Sequence, residues 1–62
     1  MIDEYLTTHE VARYLNCKIR HVRHLIRIGS LTAYRLGGRQ RMLRIKRSDA
    51  DKVMILVEPR GE

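Results

Sequence analysis

Between Arg13 and Arg47 this chain carries eleven of its thirteen basic residues and not one acid. They are Arg13, Lys18, Arg20, Arg23, Arg27, Arg35, Arg39, Arg41, Arg44, Lys46 and Arg47. All seven acids lie outside the stretch, at Asp3, Glu4, Glu10, Asp49, Asp51, Glu58 and Glu62. A one-sign block repels itself and destabilises a compact state. A surface selected only for solubility would intersperse the signs. The natural compensation is a polyanion, whose phosphates neutralise the charge and release counterions. Nucleic acid is the expected partner.

Sixty-two residues make one domain, with a small core, because a chain this short buries only about 60% of its unfolded surface. Trp and Phe are absent, so that core must come from Leu, Ile, Val, Met and three tyrosines. The lone Cys17 excludes an internal disulfide, and a reducing, cytoplasmic compartment is expected. Met1-Ile2-Asp3-Glu4 is acidic rather than basic, which speaks against a signal peptide. No apolar run approaches the ~20 residues that span a bilayer. The sequence has no internal repeat, low-complexity segment or linker.

Thr7-Thr8-His9-Glu10 has the form of a capping box with Thr7 as N-cap. Val11, Ala12 and Leu15 follow at helical spacing, predicting a helix over residues 8–15 with Tyr14 at the rim of its apolar stripe. Asn16 suits a left-handed terminator. A second helix is predicted from Lys18 or Ile19 to Ile28, stopped by Gly29. On a helical wheel Ile19, Val22, Leu25 and Ile26 cover one face; Arg20, Arg23, His24 and Arg27 cover the other. Two short helices across a tight turn make a helix-turn-helix candidate.

Leu31 to Leu36 and Arg39 to Lys46 alternate around Gly37-Gly38 and predict a β-hairpin, with glycine supplying the positive φ of a tight turn. Tyr34, Leu36, Leu43 and Ile45 are expected to face the helices; Arg35, Arg44 and Lys46 to face solvent or ligand. Ser48-Asp49-Ala50-Asp51 predicts a third helix from Asp49 to about Leu56, ended near Pro59. Val53 and Leu56 are expected to complete the core, and residues 57–62 to form a flexible tail. The fold class is mainly α with a small β-hairpin: a winged helix-turn-helix.

Four stretches carry a family resemblance. Tyr5 to Leu15 is similar to a Leu-Thr opening that leads to Glu-Val-Ala and a closing Leu. Val22 to Leu31 is similar to a second helix with a Gly-x-Leu exit. Leu36-Gly37-Gly38-Arg39 looks like a wing tip, and Arg44 to Asp51 like a strand-to-helix close. Together, over residues 5 to about 54, they resemble the excisionase-type winged helix-turn-helix domain, a relative of the MerR-like DNA-binding domain. This chain has Asn16-Cys17-Lys18 where that family often has Gly-Val-Ser, and Gln40 where an aromatic often follows the wing arginine.

The resemblance implies a recombination directionality factor. Such proteins bind adjacent sites beside the attachment site of a phage or mobile element, in a bacterial cell. They bend the DNA and help an integrase assemble for excision. The expected partners are double-stranded DNA, an integrase and neighbouring copies on DNA. A small phage-type transcriptional regulator of the same fold is the alternative. A protein-interaction module docking its basic stripe on an acidic partner is the second.

Arg20, Arg23 and Arg27 share a face at i, i+3 and i+7, a placement that costs a helix about 0.2–0.5 kcal/mol per like-charge pair. Read functionally, that face enters the major groove. Arg20 and Arg23 can each bond a guanine bidentately, worth about 1–3 kcal/mol of discrimination. Lys18 and Arg27 would clamp phosphates, and His24 would touch groove or backbone. Arg39 and Arg41, with Gln40 between them, would enter the minor groove at the wing tip. Arg35, Arg44 and Lys46 would support backbone contacts from the hairpin, and Arg13 and Arg47 would do the same or stay solvated.

Cys17, His21 and His24 form C-x3-H-x2-H, but no fourth ligand is evident. His21 reads as a surface residue, and His9 as a solvated one. Nothing supplies the oriented base and oxyanion pocket that a cysteine nucleophile needs. No metal, cofactor, small-molecule ligand or enzymatic activity is expected. Ile55, Leu56 and Val57 cannot all face inward from one short element; the surplus points to a neighbouring copy or a recombinase.

Overall fold

The computed structural model describes residues 3–37 and 42–57. Helix α1 (Thr8–Tyr14) opens on the expected capping box. The Glu10 N–H donates to the Thr7 hydroxyl at 3.1 Å, and the Thr7 N–H donates to Glu10 Oε1 at 2.8 Å. The helix ends where Asn16 turns left-handed, at φ 55°. There the Asn16 N–H donates to the Arg13 carbonyl at 3.1 Å and the Cys17 N–H to the Ala12 carbonyl at 2.8 Å. This bond pair is a Schellman motif. Helix α2 (Ile19–Arg27) closes in the same way. Gly29 sits at φ 83°, its N–H bonds the Ile26 carbonyl at 3.2 Å, and the Ser30 N–H bonds the Leu25 carbonyl at 2.9 Å. Both stops fall where the sequence predicts them.

Strands β1 (Tyr5–Leu6), β2 (Tyr34–Arg35) and β3 (Leu43–Lys46) form an antiparallel sheet in the order β1-β3-β2. Tyr5 pairs with Lys46 and Leu6 with Ile45; Tyr34 pairs with Arg44 and Arg35 with Leu43. The Arg47 N–H extends the first ladder to the Glu4 carbonyl at 2.8 Å. Strand β1 is absent from the sequence expectation, since two residues carry no readable period.

The hairpin departs from expectation in register. A bond of 2.7 Å from the Leu36 N–H to the Met42 carbonyl pairs those two residues, where a two-residue Gly37-Gly38 turn would have paired Leu36 with Arg39. Gly37 is not in the left-handed region. A two-residue Gly37-Gly38 turn would set Tyr34 opposite Arg41; the observed partner is Arg44, a shift of three residues. A slip by any odd number of residues reverses which face each side chain of a strand occupies. Tyr34 and Leu36 therefore leave the helix side and stay 45% exposed each, while Leu43 and Ile45 keep it.

Helix α3 (Arg47–Asp51) is also displaced. It begins two residues before Asp49, with Lys46 rather than Ser48 at the N-cap, and it stops well before Leu56. The Ser48 hydroxyl is occupied elsewhere, donating to Asp3 Oδ2 at 2.6 Å. Among the described residues beyond Asp51, only Val53 packs on the core. Leu56, expected to finish that core, is 84% exposed. With nothing to bury, a run containing the β-branched Ile55 and Val57 lacks the packing that sustains a short helix.

The core consists of Leu6, Val11, Ala12, Val22, Leu31, Ile45 and Ala50. Each helix, β1, β3 and the segment after α2 contribute to it, while β2 contributes nothing fully buried. Among the described residues, three antiparallel strands and three helices make this a small winged helix-turn-helix. At the α1–α3 seam the Tyr14 hydroxyl donates to Asp51 Oδ1 at 2.5 Å and accepts from Arg47 Nε at 3.3 Å. Arg47 also lies 3.5 Å from Glu4 Oε1. Among the described residues, no helix is long and apolar enough to cross a membrane.

Two substitutions test the helix ends. Thr7→Ala should cost about 1 kcal/mol in urea unfolding. The bonds from Thr7 hold the Glu10 carboxyl below its ordinary value. A lowered folded-state value means that its contribution is present above the unfolded carboxylate range and fades as pH falls through it. Thr7→Ala removes the hydroxyl but keeps the backbone bond to Glu10, so it should flatten the acid limb of the stability profile only in part. Gly29→Ala should cost about 1–2 kcal/mol through left-handed strain alone, since nothing lies within 4 Å of an added Cβ.

Candidate nucleic-acid interface

Val22 is fully buried and fixes the roll of α2, with Ile19, Leu25 and Ile26 half-buried beside it. The roll leaves Arg20, Arg23, His24 and Arg27 exposed on the opposite side. Among the described residues, no carboxylate lies within ion-pair distance of Lys18, Arg20, Arg23 or Arg27. Lys18, Arg20, Arg23, His24 and Arg27, with His21, line one open depression. His21, which the sequence reading left as plain surface, thus joins the cluster. Its ring lies 6.4 Å from that of His24, at an interplanar angle of 30°. The i, i+3 spacing to His24 was the available signal.

Lys18 stands at the N-cap of α2 and makes no side-chain capping bond. The first-turn amides thus lack the serine or threonine oxygen that normally satisfies one of them. The positive end of the helix dipole, Lys18 and Arg20 add together there, an arrangement that favours an anion.

The hairpin residues divide between the two sheet faces. Arg35 pairs with Leu43, on the side of Ile45 and the helices. Arg44 and Lys46 alternate onto the outer side with Tyr34 and Tyr5. Arg44 is half-buried and its Nη1 donates to the Leu43 carbonyl at 2.9 Å. Lys46 Nζ lies 5.3 Å from the centre of the Tyr34 ring. The structure therefore gathers the α2 residues into one surface and sets Arg44 and Lys46 on the sheet face turned away from the helices. Arg39, Gln40 and Arg41 lie outside the described residues.

Of the two remaining cations of the acid-free stretch, Arg13 is exposed at the end of α1, in a depression of mixed sign with Glu4, Glu10, Tyr14 and Arg47. Arg47 is engaged by Tyr14 and Glu4, and its guanidinium lies 5.2 Å from the Tyr14 ring centre. Cys17 is in the inter-helix turn, half-buried against the core. Among the described residues, no group of three His, Cys, Asp or Glu side chains is placed to hold a metal ion.

A short helix packed through one face, with a basic opposite face and a hairpin wing, is the architecture of DNA-binding helix-turn-helix proteins. Residues 5–52 match the family of the helix-turn-helix domain, and the chain belongs to it. This is a DNA-binding domain found in excisionase-like proteins. No curated protein and no solved structure matches the chain.

The uncapped start of α2 gives a direct test. Lys18→Ser restores a capping oxygen and should raise stability by about 1 kcal/mol in thermal or urea unfolding. The same substitution should weaken duplex binding, because it removes a cation from the anion-facing end.

Proposed function

We propose that this chain is an excisionase, a sequence-specific DNA-binding protein that directs an integrase toward excision. The observation that carries the reading is the α2 face: four exposed cations and two histidines, without a neighbouring acid, on a helix whose other side is fixed by Val22. In this reading α2 enters the major groove. Arg20 and Arg23 read guanine edges, His24 touches the groove wall, and Lys18 and Arg27 hold phosphates on either side. Arg39, Gln40 and Arg41 meet the adjacent minor groove, with Arg35 supporting them from the helix side of the hairpin. Arg44 and Lys46 add positive potential from the outer sheet face rather than contacts beside α2.

The chemistry of strand exchange belongs to the integrase in this account; the chain itself is not an enzyme. Its contribution is architectural. Bending a 20–30 bp site costs about 1–6 kcal/mol, which contacts from neighbouring copies on adjacent sites can offset. The resemblance of residues 5 to about 54 to excisionases supports this role; a phage-type transcriptional regulator would share the same fold, and the excision assay separates the two.

Gel-shift titration of attachment-region DNA against random duplex tests the reading. Arg23→Ala should weaken binding to the attachment region by tenfold or more and bring it close to random-duplex binding. If about six phosphates are neutralised, the log–log salt slope should be near −5. Equal binding to both duplexes, indifferent to Arg23→Ala, would contradict groove reading. Supplied integrase should excise efficiently only with the protein present; excision that ignores it would favour the transcriptional regulator.

A further inference from the structure

Two apolar surfaces of this chain are open, and their chemistry is complementary. The first is the segment after α3. Met54, Ile55, Leu56 and Val57 form neither helix nor strand, and the last three are 83%, 84% and 86% exposed. The second is an open groove lined by Tyr5, Tyr34, Leu36 and Arg44 of the outer sheet face and by Arg35 of strand β2. Strand β2, beside that groove, is an edge strand, because the sheet order is β1-β3-β2.

We propose that the Met54–Val57 segment of one copy docks along β2 and into this groove on a second copy. Four observations select that occupant. Within one chain Ile55, Leu56 and Val57 are too exposed to be packed on the groove. The run is rich in residues that suit an extended strand, and an edge strand offers unpaired backbone groups to one. Laid along β2, the segment would turn alternate side chains, Met54 with Leu56 or Ile55 with Val57, toward the groove. Charge agrees as well: Glu58 directly follows the run in sequence, and Arg35 and Arg44 line the groove.

The contact joins unlike surfaces, so each copy keeps one free tail and one free groove. Such heterologous contacts build rings or open chains rather than closed two-fold dimers. The inference deepens the excisionase reading and rests on it for the arrangement of copies along DNA; the contact itself needs no DNA. A four-residue segment buries less than the roughly 1,000 Å² of a stable interface. Association in free solution is therefore weak, and it becomes effective when a duplex holds copies at an effective concentration of about 1 mM.

Sedimentation equilibrium of the full chain without DNA, carried to about 1 mM, tests it independently of DNA recognition. The protein should form species larger than dimers. Leu56→Asp and Leu36→Asp should each weaken self-association at least tenfold. An equimolar mixture of the two variants should form heterodimers and nothing larger, since one variant keeps the groove and the other keeps the tail. Both positions are exposed, and amide spectra would verify that each variant is folded, with Tyr34→Asp as a second groove variant. A protein monomeric at every concentration would overturn the proposal. So would a variant that self-associates like the parent, or a mixture no more associated than its components.

Discussion

Val11, Val22, Leu31 and Ile45 are the largest side chains fully withdrawn from solvent, and the rest of the structure depends on their packing together. None of the helices, of seven, nine and five residues, is long enough to persist alone in water. Each is held by what it buries: Val11 and Ala12 for α1, Val22 for α2, Ala50 for α3. A core this small leaves little margin, and large-to-small changes in a core typically cost 2–5 kcal/mol. The Val22 contact has a further consequence. It sets the rotation of α2, and that rotation aligns Arg20, Arg23 and Arg27 on one exposed face.

The second constraint is electrostatic, and the ends of the chain manage part of it. Asp3, Glu4 and Asp51 lie far in sequence from their partners, yet they meet Ser48, Arg47 and Tyr14 at the β1–α3 and α1–α3 seams. These exposed contacts are individually weak. They gather acids around α3, and among the described residues none lies within ion-pair distance of the α2 cations. The positive field is thus concentrated on the helix and hairpin that the domain family offers to DNA.

Legibility in the sequence followed the range of the interactions involved. Thr7, Asn16 and Gly29 announced the helix ends because caps are local: each needs only its own turn of chain. The face of α2 was legible because nine residues give a full helical period. The register of β2 against β3 was not, since Gly37-Gly38 suggested a tight turn while the observed closure lies at Leu36 and Met42. That three-residue shift, being odd, moved Tyr34 and Leu36 to the outer face, together with Arg44 and Lys46. The extent of α3 was misread for a related reason: Ser48 resembles an N-cap, but a residue 45 positions away takes its hydroxyl. His21 was passed over because it lies at the border between the apolar and basic sides of α2.

The central claim is that the exposed side of α2 is the surface that meets DNA. Amide and arginine side-chain NMR shifts of the labelled protein, titrated with an attachment-region duplex at fixed salt, test it most directly. The account predicts that perturbations concentrate from Lys18 to Arg27 and in the hairpin, saturate at the stoichiometry of the sites, and spare the α1–α3 seam around Tyr14 and Asp51. Perturbations centred on that seam, or small shifts spread over all basic residues that vanish with modest salt, would contradict it.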